Sequence, residues 1–128
     1  MFIQTPQKTP HHRKRLIFLA LLWFLMSIYG LFFQVSNGQA PLFSHIDKVA
    51  HSILFLVQFY LLGQIIYHKS GHMVYGKLLL LAVCWAAISE LIQGHFTTRT
   101  MDAWDVVADI FGALCACLLL YRHHSNRA

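Results

Sequence analysis

Three short groups of residues in this chain carry side chains able to transfer protons or hold a polar ligand. Asp47, Lys48 and His51 open "DKVAH", Glu90 and Gln93 frame "ELIQ", and Arg99, Asp102, Asp105 and Asp109 are strung along "RTMDAWDVVADIFG". An imidazole titrates near neutrality, and a carboxyl group taken out of water moves toward the same range, so His51, Glu90, Asp105 and Asp109 form a candidate acid–base set. Lys48 and Arg99 suit the phosphate or carboxylate groups of a ligand, and with Asp47, Gln93 and Asp102 they make a candidate binding set. A metal variant of the same chemistry would use His51, Glu90, Asp105 and Asp109 as ligands of a divalent cation. So many carboxylates favour Mg²⁺, Mn²⁺ or Ca²⁺ over Zn²⁺. No nucleophile stands out, because Ser44, Ser52 and Ser89 lack an elbow or triad context.

Spacing groups these residues on helix faces. Asp47 and His51 are four apart, Glu90 and Gln93 three apart, and Asp102, Asp105 and Asp109 form one stripe at i, i+3 and i+7. Asp109 falls roughly 10 Å along a helix from Asp102, inside an apolar stretch, where a lipid-facing carboxylate is costly, so it is expected to face a protein interior. Asp102 and Asp105 have a simpler use at a helix start, where a carboxylate caps free N–H groups and meets the positive end of the dipole.

The elements that must position these groups are apolar. Of 128 residues, 57% are hydrophobic and only 12% charged, and the mean hydropathy is +0.53. Four apolar stretches, 16–33, 49–67, 78–93 and 103–121, each approach the roughly 20 residues that a helix needs to cross a bilayer. The expected fold is therefore all-α, a four-transmembrane-helix bundle over residues 16–121, with basic tails at 1–15 and 122–128. Stretches such as "LIFLALLWFLMSIYGLFF" have no repeating polar face, which excludes a soluble bundle, and no run keeps the period of two that a strand needs. The first stretch is also longer than the core of a signal peptide. Cys84, Cys115 and Cys117 lie within apolar stretches and suggest neither a disulfide framework nor a thiolate metal site. His11, His12, His123 and His124 in the tails, and His45, His68, His72 and His95 in the connections, are expected to be solvated.

Basic residues sit at the segment ends rather than on an aromatic-interleaved surface, so the net charge of +5 argues for topology and against nucleic-acid binding. Lys8, Arg13, Lys14 and Arg15, then Lys69 and Lys77, then Arg122 and Arg127 mark one side, against only Lys48 and Arg99 on the other. The positive-inside rule places both termini and the middle connection in the cytoplasm. All five acidic residues then fall at the outer ends of the second, third and fourth helices.

The three motifs, in this order and at these segment ends, resemble the VanZ-like family of small bacterial membrane proteins. Members typically show Asp-Lys-x-x-His opening one helix, Glu-x-x-Gln closing the next, and Arg-x-x-x-x-x-Asp-x-x-x-Asn/Asp-x-x-Gly entering the last. The resemblance extends over about residues 47–120 and matches Asp47, Lys48, His51, Glu90, Gln93, Arg99, Asp105, Asp109 and Gly112. Two positions depart from the pattern: Asp109 stands where Asn is frequent, and Ala116 where a further glycine is frequent. The resemblance implies an inner-membrane protein of the cell envelope and a link to resistance to the glycopeptide teicoplanin.

Two functions compete at this stage. One is a factor that performs acid–base chemistry on an envelope lipid or a peptidoglycan-type precursor. The other is a non-enzymatic scaffold or headgroup-binding protein whose polar cluster is mainly structural. Proton or ion movement fits less well, because the ionisable residues stop in the outer half of the spans. The expected partners are the lipid bilayer, an envelope precursor, and a second copy or another membrane protein.

Overall fold

The computed structural model of the chain describes residues 10–33, 45–98 and 100–126. Its elements are α1 (Pro10–Ile28), which continues as a π-helical end over Tyr29–Phe33, α2 (Ile46–Ser70), α3 (Tyr75–Phe96) and α4 (Ala103–Ser125). No strand occurs among the described residues. All four helices are long and apolar enough to cross a membrane. Exposed Phe18, Leu25, Leu80, Phe111 and Leu118 form the kind of outward apolar surface that is stable against lipid and not against water.

Each helix runs past the apolar stretch expected for it, because helices end at stop signals and not where hydropathy falls. The described part of α1 begins at Pro10. Residues 10–15, read from the sequence as tail, are thus the first turns of that helix. At the other side of the chain α2 closes on Gly71, whose φ of 74° is left-handed and whose N–H donates to the Tyr67 carbonyl at 2.8 Å.

The core lies between α2, α3 and α4. Phe55 and Phe59 of α2 pack with Leu78, Ala82 and Ala86 of α3 and with Ala113, Ala116 and Leu120 of α4. Alanines on two helices let the backbones approach, which supplies the dispersion contact that holds helices together in lipid. The approach is closest between α2 and α4. A Cβ built on Gly112 would run into the Ser52 backbone carbonyl, and the Ser52 hydroxyl donates to the Ala108 carbonyl at 2.9 Å. Gly112 thus admits the neighbouring helix. Helix α1 leans on α2, with the Trp23 indole N–H donating to the Leu54 carbonyl at 3.1 Å.

One expectation fails at the end opposite the acids. His12 and His68 meet edge to face at 5.0 Å between ring centroids, and His124 stacks on Tyr67 at 3.7 Å. His68, His123 and His124 are half-buried, so these histidines join helix ends and are not simply solvated.

Candidate functional site

The polar group is assembled from the first turns of α2 and α4 and the last turns of α3. On α4 the buried positions are Asp105, Asp109, Gly112, Ala113, Ala116 and Leu120, one stripe whose first two members are acids. On α3 the buried face runs through Ala82, Ala86, Ser89, Glu90 and Gln93, and on α2 through His51, Phe55 and Phe59. The core face of each helix therefore becomes polar at the same end, and packing the faces together buries the polar groups against one another.

Asp102 is the N-cap of α4. Its Oδ1 accepts from the Trp104 N–H at 2.9 Å, and its Oδ2 accepts from Lys48 Nζ at 2.6 Å. The Lys48 ammonium, with the Trp104 N–H, holds the Asp102 carboxyl below the usual carboxylate range. Lys48 also donates to Asp105 Oδ1 at 3.0 Å, so one ammonium joins α2 to the start of α4. Glu90 Oε2 accepts the Asp102 backbone N–H at 3.0 Å, fastening the end of α3 to the same start. Gln93 donates from Nε2 to the Leu31 carbonyl at 2.8 Å.

Beneath these contacts His51 and Asp109 face each other, with exposures of 1% and 0%. His51 Nδ1 is 3.0 Å from Asp109 Oδ1, and an ionised carboxylate can only accept, so Nδ1 carries the hydrogen. His51 Nε2 is 3.8 Å from Asp105 Oδ2, too far for a hydrogen bond. Among the described residues, four buried side-chain atoms of the cluster have no hydrogen-bond partner: His51 Nε2, Glu90 Oε1, Gln93 Oε1 and Asp109 Oδ2. Glu90 stands within electrostatic reach of His51, Asp105 and Asp109. A cavity of about 320 Å³ lies between α2 and the end of the first helix, lined by Asp47, His51, Gly30, Leu31, Ala50 and Leu54 among others.

The structure thus brings together Asp47, Lys48, His51, Glu90, Asp102, Asp105 and Asp109, while Gln93 turns to the first helix. Arg99 lies outside the described residues. The candidate metal set differs from the one expected. Ligand atoms of Asp47, His51 and Asp105 lie within 4.8 Å of one another, whereas Asp109 is engaged on the far nitrogen of the imidazole and Glu90 on the start of α4. Sequence reasoning placed Asp47 in the binding set, because spacing along α2 cannot tell that it points to the same place as Asp105. It also passed over the Leu31 carbonyl and the Ser52 hydroxyl, for which no sequence signal exists.

Fold and site together define a multi-pass α-helical membrane protein with a buried His–carboxylate cluster at one end of its bundle. The chain belongs to the VanZ/LLP1 family, whose model matches residues 2–124. No curated protein and no solved structure matches it.

Proposed function

We propose that this VanZ-family protein is a cell-envelope factor of the bacterial inner membrane, with both termini in the cytoplasm and its polar cluster at the outer leaflet. There it takes the polar head of an envelope lipid or a lipid-linked peptidoglycan-type precursor and carries out acid–base chemistry in front of His51 Nε2. Lys48 and Arg99 meet anionic groups of the head, Asp109 orients the imidazole, and Glu90 and Asp105 supply further proton acceptors. A change in glycopeptide susceptibility would be a downstream effect of that chemistry.

The observation that carries this reading is the buried His51–Asp109 pair, whose remaining nitrogen has no hydrogen-bond partner. Nearly all buried polar atoms in native proteins are partnered, so an imidazole nitrogen left without a partner beside two buried carboxylates supports a group that meets something else. The energetics point the same way. Polar contacts between membrane helices are worth about 0.6 kcal/mol on average, whereas placing a charged residue at mid-membrane depth costs about 2.5–3.5 kcal/mol on insertion scales. A few such contacts do not offset buried acids, and stability alone does not account for them. The positive-inside distribution supports the orientation.

The test is envelope-antibiotic susceptibility, teicoplanin included, in a permeable host producing wild type, His51→Ala, Glu90→Gln or Asp109→Asn at matched membrane levels. Loss of a protective effect in variants that accumulate normally is the expected result. Undiminished protection by His51→Ala would remove His51 from the chemistry.

A further inference from the structure

We propose that Asp47, His51 and Asp105 bind one divalent first-row transition ion, of the Mn²⁺ or Zn²⁺ type, with Asp109 as the outer carboxylate that orients the histidine. Three facts meet at this point. Asp109 occupies Nδ1, which leaves Nε2 with a lone pair. That lone pair is buried, makes no hydrogen bond, and faces a carboxylate oxygen at 3.8 Å. Two electron-rich atoms so placed repel unless a cation stands between them. An imidazolium would close the gap to a charge-assisted bond of about 2.7–2.9 Å. The observed separation is nearer to that of neighbouring ligands on a tetrahedral ion, about 3.4 Å for metal–ligand distances of 2.0–2.1 Å.

The third facet comes from Asp47, one helical turn before His51, whose carboxylate brings a second oxygen to within 4.8 Å of the other two ligand atoms. Asp47 and His51 both line the 320 Å³ cavity, so the fourth side of such an ion opens onto space for a water or a ligand oxygen. Three protein ligands and one open position is the arrangement of a working metal site, and a closed structural site would use four. The carboxylate–histidine–metal order matches the outer-shell device that fixes tautomer and ring orientation. An imidazole among only three ligands also favours a transition ion over Mg²⁺ or Ca²⁺, which prefer larger all-oxygen shells.

The inference deepens the function proposed above by naming what stands in front of Nε2. The imidazole would then serve as ligand, and a water on the ion, made more acidic by the metal, would lose a proton to solvent and act as the hydroxide.

The experiment is titration of Mn²⁺ alone into chelator-stripped, full-length protein in lipid nanodiscs, followed by EPR, with Zn²⁺ as competitor. One Mn²⁺ per chain is expected, with the hyperfine signature of an imidazole nitrogen. Asp47→Asn, at a half-buried position that tolerates the change, should weaken binding at least 10-fold, and His51→Gln should remove the nitrogen signature. Asp109→Asn should weaken binding roughly 10- to 100-fold. His123→Gln and His124→Gln should change nothing. Absence of saturable binding, or binding of full strength in Asp47→Asn, overturns the assignment even where His51→Gln fails to fold. The two proposals separate cleanly. A metal-free wild type whose His51→Ala variant still loses envelope function removes the ion and leaves the site. A metal-loaded wild type whose folded variants function normally removes the site's role and leaves the ion.

Discussion

The buried stripe of α4 has two halves that face the same neighbours and are built from opposite materials. From Gly112 to Leu120 it is Gly, Ala, Ala and Leu, packed on Phe55, Phe59, Ala82 and Ala86. From Asp105 to Asp109 it is two acids, packed on His51 and Lys48. The apolar half obtains its stability from close approach, and its side chains have no polar atoms to satisfy. Among the described residues the acidic half is buried as well, yet Asp109 Oδ2 has no hydrogen bond, and its neighbour His51 carries an unpartnered Nε2 and lines a cavity. Equal burial with unequal satisfaction separates a region shaped for cohesion from one shaped to meet a ligand.

Gly112 sits at the junction, and its replacement offers the largest test. Gly112→Val drives a branched side chain into the Ser52 backbone, which cannot yield without separating α2 from α4. We expect a loss of about 3 kcal/mol or more, enough to abolish accumulation in the membrane, read by immunoblot and by thermal melting in detergent. Survival of that variant at wild-type stability would refute the close approach on which both halves depend.

A middle-sized effect distinguishes the halves directly. Leu120→Ala in the apolar half should cost about 2 kcal/mol of stability and spare envelope function in the protein that remains folded. Asp109→Asn should do the reverse. The amide oxygen can still accept from His51 Nδ1, so the change in melting should stay near the 0.6 kcal/mol typical of such contacts, roughly a third of the Leu120 effect, while function falls at least 10-fold. Equal ratios of functional to thermal loss in the two variants would erase the contrast.

The smallest effect concerns the rim. The folded Asp102 carboxyl titrates below its ordinary value of 3.8 because Lys48 stabilises its charged form. A depressed folded value means that this contribution is fully present above the unfolded value and is lost as pH falls through the folded one. Asp102→Asn should therefore lower the melting temperature slightly at pH 7, where screening by solvent and salt keeps the gain small, and the difference from wild type should shrink as pH falls below the ordinary carboxyl value of 3.8. A difference that grows on acidification would contradict the Lys48–Asp102 pairing.

Much of this arrangement was legible in the chain. Asp109 was expected inside because a carboxylate two turns into an apolar segment has nowhere else to go, and it is fully buried. Asp102 was expected as a cap, and it caps. The helix limits were less legible, since hydropathy reports where lipid is and not where Gly71 stops a helix. His123 and His124 were misread for a related reason. Their sequence neighbours are polar, but their neighbours in space are Tyr67 and the ends of other helices.

The sequence by itself determined four apolar helices, the polarity change along three of them, and the shared end at which that change occurs. These follow from composition and from the 3.6-residue period, which are local properties. Only the tertiary structure decided that His51 pairs with Asp109 and not with Glu90, that Lys48 spans Asp102 and Asp105, and that Asp47 stands beside the imidazole. The period of a helix assigns each side chain to a face but says nothing of which helix that face meets, or at what height. Here those two quantities are set by how closely Gly112 lets α4 approach Ser52 on α2.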